Sequence, residues 1–493
     1  MTTSPVTDTE VTKIEVANTD KSHSPWVLYT LLLGGIVISF SNSALNPAIP
    51  IFMQVFNVDL VMGSWVLNAY VMAMSIGLML SGYLSQKLSL KHLYLIGIAI
   101  FTAGSVVGAL ALNMPMVIIA RVIQGFAGGI VIPLSIGVIY RMYPQNQHGR
   151  MMALWGIVIM MALAFGPLIG AYLVEKFAWW LLFASTIPLS VIAILLAFWR
   201  LPDSHSETTK PFFDAIGFWW LLAWLVSLML CINYLKSHSI ASPTLLLTTL
   251  TVGSAVFLIS GWFWWRYESR HSSALLNVNL FKNIIYRDSI IISVTQTLGL
   301  MLCLLLLPVV IQDIMKQSTL WTGVILMLST LVASITTHFA GKVVDNHGAR
   351  KIGMIGIAIS AIATLLFVAV MLTRNMWLVL FIMCLRGVGV GLAYLPTTTV
   401  GLSSLSNIDV TEGAAVNNIS RRIISTIFLV LVTLYIDTRQ SYLMLGHDTS
   451  FANSAMIQVI QEGFLMVSIL LLLTLPCAWR LPKTSSDSLQ TTS

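Results

Sequence analysis

The sequence predicts an all-α polytopic membrane protein with 14 transmembrane helices, arranged as two six-helix bundles plus two extra helices. Three observations carry that expectation. With 57% hydrophobic and only 9% charged residues among 493, and a mean hydropathy of +0.87, the chain has far too little polar surface for a water-soluble globule. Apolar runs long enough to cross a bilayer, about 20 residues each, follow one another from Trp26 to Trp479. A segment of the first half also recurs in the second.

Taken in order, residues 1–25 are polar and mixed in charge, neither Arg-rich nor followed by a cleavable apolar stretch, so they read as a disordered cytoplasmic tail. Spans are expected to begin near Trp26, Ser64, Leu93, Pro115, Arg150 and Trp179, giving an N-terminal six-helix bundle over 26–200. Two more, from Phe213 and Pro243, are surplus to the repeat and read as an inserted hairpin over 211–265. The last six begin near Ser289, Leu320, Lys351, Met376, Thr411 and Glu462, a C-terminal bundle over 289–481, with a second cytoplasmic tail over 482–493.

Orientation follows from the basic residues, because the cytoplasmic ends of spans carry the positive excess. Of 26 Lys and Arg, four lie inside spans, and only Lys176, Lys236, Lys316, Arg374 and Arg439 fall at outer ends if the N-terminus is inside. An even number of spans with both termini cytoplasmic preserves that asymmetry. The net charge of +7 thus serves topology, and nucleic acid is excluded as a partner. Cys231, Cys303, Cys384 and Cys477 sit in apolar runs without paired spacing, which argues against disulfides or a metal site. No Ser-His-acid set is suggested and the glycines of Gly387 to Gly391 are buried in a span, so an enzyme is not expected. His338, just inside a span, is expected as a packed imidazole.

The chemistry lies in Arg121, Arg386, Arg421 and Arg422, which sit in apolar spans with no Asp or Glu expected well inside any of them. A guanidinium near the bilayer centre costs roughly 2.5–3.5 kcal/mol on insertion scales, so it lines a polar cavity or awaits an anion. At 1.5 Å per residue, Arg121 lies about 9 Å from the outer end of its span and Ser41 about 22 Å from the inner end of the first. Arg386 and Arg421 come out near mid-bilayer. The polar pathway expected at that level comprises Ser41, Asn42, Asn46, Tyr70, Arg121, Gln124, Gln296, Arg386, Asn418 and Arg421. Neighbours on a helix point about 100° apart, so Arg421 and Arg422 cannot both face one cavity.

The repeat is visible by eye: SGYLSQKLSLKHLYLIG (81–97) matches AGKVVDNHGARKIGMIG (340–356), and each is followed by an arginine-glycine helix, RVIQGFAGG (121–129) and RGVGVG (386–391). With Arg121, Gln124 and Gly125, the motif GPLIG (166–170), the stretch LLNVNLFKN (275–283), the run from Pro308 through Gln312 to Gly323, and RGVGVGLAYLP (386–396), the chain resembles the major facilitator superfamily. It is most similar there to the fourteen-span drug:proton antiporter branch of the EmrB/QacA type.

That resemblance implies the major facilitator fold, with two bundles rocking about a midplane cavity. It also implies a secondary active efflux transporter of the bacterial inner membrane, no cofactor, and coupling to the proton gradient. The partners implied are a small-molecule substrate, the lipid bilayer and, in Gram-negative hosts, a periplasmic adaptor and an outer-membrane channel. Gly82, Gly341, Asp345 and Arg350 correspond to the loop signature, with Asp345 and Arg350 as a candidate latch between the bundles. Gly166, Pro167 and Gly170 correspond to the antiporter signature, with Ala171 where a glycine is usual. Pro167 should weaken or kink its helix. Arg421 matches the branch's arginine in its helix, which implies that Arg421 faces the cavity and that Arg422 packs or snorkels. One departure matters: the first-span Asp of the branch is Ser41 here, leaving Glu175 and Glu412 as candidate proton carriers. Arginines without carboxylates favour an anionic cargo, such as a siderophore or organic acid. An ion-coupled importer of the same fold and a multidrug exporter of lipophilic cations are the alternatives.

Overall fold

The computed structural model describes residues 25–143, 145–203, 216–220, 222–224, 227, 243–269, 278–347, 349–373, 375–406, 410–444 and 452–482. Among them every regular element is a helix, as the apolar runs require, since a spanning backbone must satisfy its own hydrogen bonds. Among the described residues, twelve helical stretches are long and apolar enough to cross a membrane. Six precede residue 201: α1 (Pro25–Ala44), α2 (Leu60–Lys87), α3 (Leu90–Ala109), α4 (Met114–Met142), α5 (Gln145–Lys176) and α6 (Thr186–Arg200). After α7 (Pro243–Glu268) come α8 (Ile284–Val309), α9 (Thr319–His347), α10 (Ala349–Thr373), α11 (Met376–Ser403), α12 (Val410–Met444) and α13 (Ala452–Leu472).

The expected count of 14 included a hairpin between the halves. Its first helix, from Phe213, lies largely outside the described residues. Its second is α7, which is not among the twelve. Aromatic stacking joins the two: Trp220 on Phe263 at 5.1 Å and Trp224 on Trp264 at 5.7 Å between ring centroids.

Polar caps set several helix starts. Asp59, Asn113, Asn283 and Asn375 accept from the first-turn amides of Met62, Met116, Tyr286 and Trp377 at 2.9–3.1 Å, satisfying donors that have no partner within the helix. Two expected boundaries need correction. α8 begins at Ile284, so Asp288, read as lying outside the span, is inside it and 1% exposed, 3.8 Å from both Arg287 and Arg480. α13 begins at Ala452, so Glu462 lies about 15 Å along the helix, not at its start. Tyr435 donates to Glu462 at 2.7 Å, Gln458 at 3.1 Å, and Arg439 is 3.5 Å away. Carboxylates do enter these helices, and each has partners. His338 is another correction: it is exposed on α9, its ring edge-on to Phe339 at 5.7 Å.

The two copies of the repeat occupy corresponding turns, between α2 and α3 and between α9 and α10. Much of what was read as a loop signature is helical, because Gly82 lies in the last turns of α2 and Gly341 and Asp345 lie in α9. Each half has a core of its own. Val27, Leu31, Tyr94, Phe101 and Val131 pack together in the first, Leu302, Leu306, Phe367 and Phe464 in the second. The halves meet where α5 packs on α9 and α2 on α12.

Candidate substrate pathway and gate

Where α2, α4 and α12 approach one another, polar side chains accumulate in an apolar protein. Arg121 on α4 is fully buried. Its Nε donates to the Val66 carbonyl at 3.0 Å and its Nη1 to Gln124 Oε1 at 3.1 Å, while Nη2 has no partner. The guanidinium lies 4.0 Å from the centroid of the Tyr70 ring, a cation–π contact. Gln124 passes the network on, donating to Ser105 at 2.9 Å, and Ser105 in turn accepts from Thr186 at 2.9 Å. Two of Arg121's three guanidinium nitrogens are therefore held, one by α2 and one within α4, and the third remains free.

One turn beyond Tyr70 on α2, Met74 Sδ accepts from Arg422 Nη1 at 2.7 Å, a contact from the second half of the chain to the first. Arg422, which the resemblance left to packing or snorkelling, is thus the arginine that crosses between the halves. Arg421 stays within its own half: Nη2 donates to Asn418 Oδ1 at 2.9 Å and the guanidinium lies 4.9 Å from the Tyr394 ring centroid. Both keep an unpartnered Nε. The signal for Arg422 was in the sequence, as the second of two adjacent arginines, but which one faces α2 depends on helix rotation.

The uncharged candidates divide. Ser41 is fully buried with an unpartnered Oγ; Asn46 and Tyr70 are buried with Oδ1 and the hydroxyl unpartnered. Asn42 and Asn418 are half-buried, and Asn418 donates to the Ala414 carbonyl at 3.0 Å. Asn68 Oδ1 and Asn417 Nδ2, which the sequence did not single out, are also buried without partners. Buried polar atoms normally find partners, so this concentration on α1, α2, α4 and α12 marks a region built to hold polar matter. Gln296 and Arg386 stand apart from it, on α8 and α11, both 1% exposed.

At the Glu175 end of the bundle the halves are tied together. Glu175, at the end of α5, accepts from Ser318 Oγ at 2.6 Å and from the backbone N–H of Leu320 at 2.9 Å, and so caps the start of α9 from the other half. Gln54 donates to Asp313 at 3.0 Å, and Gln312 donates to the Pro47 carbonyl at 2.8 Å. Gln312 and Asp313 are aimed there by a π-helical turn, Val310–Ile314, that follows Pro308. The Pro308 to Gln312 run is therefore a seal between halves.

The GPLIG segment lies just below this seal. A Cβ at Gly166 would strike Ser43, and one at Gly170 would strike the Ala44 carbonyl, so both glycines let α5 press against α1. On the opposite side, a Cβ at Gly323 would stand 2.7 Å from the Pro167 carbonyl and 2.8 Å from Ala171 Cβ. Gly323 thus makes room for the methyl of Ala171. α5 continues through Pro167 as one helix to Lys176.

At the other end, Gly82 has nothing within 4 Å of where a Cβ would lie, and it lines a cleft of about 150 Å3 with Ser81, Ser85, Leu90, Pro133, Leu134 and Gly137. The expected Asp345 to Arg350 latch falls partly outside the described residues, since the side chains of Gly341 and Asp345 are not described. Arg350 donates instead to the Leu481 carbonyl at 2.8 Å, its guanidinium 5.7 Å from the Trp479 ring centroid.

A family model described as Major Facilitator Superfamily matches residues 31–429. The chain belongs to that family. It is 25% identical to "Uncharacterized MFS-type transporter YhcA" of Bacillus subtilis, over 89% of this chain and 82% of that protein. It is 22% identical to "Lincomycin resistance protein LmrB" of Listeria innocua, over 85% of this chain and 88% of that one. Among solved structures, the inward open xylose transporter XylE from E. coli has the same fold, with TM-score 0.60 and 16% identity, covering 94% of this chain and 99% of the other. The chain is a non-enzymatic, membrane-embedded transport protein acting on a small molecule.

Proposed function

We propose that this transporter is a proton-coupled exporter of the bacterial inner membrane, of the fourteen-span drug:proton antiporter branch, that carries a small anionic or amphipathic compound by alternating access. One observation carries the reading. Arg121, Arg421 and Arg422 offer unpartnered N–H groups around Tyr70, Met74 and Asn418, with no acidic partner for any of them among the described residues. A carboxylate or similar anion would complete charge-assisted hydrogen bonds there. A lipophilic cation would meet only positive charge. The likeness to a lincomycin resistance protein supports export.

On this reading both termini are cytoplasmic and the Glu175 end, tied across the halves, faces outward. Ser41 cannot carry a proton in place of the branch's Asp, which leaves Glu175 and Glu412, in the first turn of α12, and Glu175 is favoured because it bonds across the halves. Protonation turns one of its acceptor oxygens into a donor and weakens the cap on α9, so acid outside favours opening outward. In everted membrane vesicles energised by respiration, a radiolabelled carboxylate cargo accumulates, and a protonophore abolishes the accumulation. Accumulation in intact cells instead, or indifference to the protonophore, would overturn export or coupling respectively.

A further inference from the structure

Arg386 has no place in the pathway described above. Its side chain on α11 points to the back of its own half, where Nη2 lies 2.7 Å from the Cβ position of Gly299 on α8. Val467 and Leu471 of α13 lie 3.4 and 3.7 Å from that same point. The surroundings are the apolar core of the C-terminal half, including Leu302 and Met383. Arg386 is 1% exposed, and Nε and Nη2 are both unpartnered. These two nitrogens form one edge of the guanidinium, with parallel N–H groups that suit a single bidentate acceptor. One turn along α8 from Gly299, Gln296 is equally buried, and both its amide atoms lack partners.

A buried cation without a counter-ion is strongly destabilising, and no carboxylate reaches Arg386 among the described residues. We propose that Arg386 and Gln296 hold a small monovalent anion, chloride under cellular conditions, within the C-terminal half. Gly299 lets the guanidinium lie close against α8: any larger residue would push into it. One guanidinium edge and one carboxamide, with the apolar Val467 and Leu471 alongside, suit a compact halide better than an organic acid. This anion is a resident counter-ion, distinct from the cargo held where α2, α4 and α12 meet.

The test needs neither substrate nor gradient, so its result is independent of the transport reading. Thermal unfolding of the purified full-length protein in detergent is followed as chloride replaces gluconate at constant ionic strength. The wild type gains several degrees, saturably, and bromide substitutes for chloride. Arg386→Met removes the halide dependence. Gly299→Ala, which keeps the charge but crowds its edge, raises the half-saturating chloride concentration on the order of tenfold, as expected for one weakened charge-assisted hydrogen bond; it serves as the test should Arg386→Met fail to fold. A wild type indifferent to halide, or variants with the wild-type chloride response, would overturn the proposal.

Discussion

Arg421→Gln combined with Arg422→Gln lowers transport of a carboxylate cargo by two orders of magnitude or more, while the protein still accumulates in the membrane at near-normal levels. Each guanidinium forms charge-assisted hydrogen bonds worth about 1.5–3 kcal/mol with an anion, so each substitution costs roughly 10–100-fold. Stability is spared because neither arginine has an acidic partner among the described residues, and no buried carboxylate is left stranded. Transport in everted vesicles, normalised to immunodetected protein, separates the two effects. Equal loss of transport and of folded protein would mean that the pair braces the fold. Arg121→Gln is different in kind: it also removes the bond to Val66 that ties α4 to α2 and the bond to Gln124 within α4, so transport and stability fall together.

Glu175→Ala shifts the protein toward the state open at the Glu175 end. Two hydrogen bonds across the halves are lost, those from Ser318 and Leu320. Glu175 is exposed, so solvent competes for it and the pair contributes roughly 1–2 kcal/mol, a five- to thirty-fold change in population. Spin labels at Val55 and Gln317, both exposed at that end, report the change as a longer-distance population in pulsed electron resonance. Glu175→Gln keeps one acceptor oxygen and falls between wild type and Ala. Distance distributions identical in all three proteins would remove Glu175 from the gate, and with it the suggested route for the coupling proton.

Much of this was legible before any coordinates. Mean hydropathy and the repeat gave the fold class, since a bilayer leaves the backbone so few options. The arginines stood out because each is costly where it lies. Helix ends were less legible: a span start was set at Glu462, because a charged residue looks like the edge of an apolar run, and another at Ser289, which left Asp288 outside. Both helices begin earlier, and the acids are compensated by Arg480 and by Tyr435 with Arg439. Hidden altogether were the contacts that depend on how two halves dock. Gln54 and Asp313 are 259 positions apart, and nothing local to either announces the other. Likewise, whether Arg421 or Arg422 crosses to Met74 depends on a rotation of α12 that no periodicity fixes, because both faces of that helix are mixed.

The central claim concerns sign: the substrate region carries fixed positive charge that its cargo neutralises. Counterflow into proteoliposomes measures this directly, with the purified protein loaded with unlabelled di- or tricarboxylates and challenged with labelled carboxylate, then repeated with lipophilic cations. Counterflow is expected with the carboxylates, is absent with the cations, and is lost in the Arg421→Gln, Arg422→Gln protein. Robust counterflow of cations alone, unchanged in that variant, would contradict it.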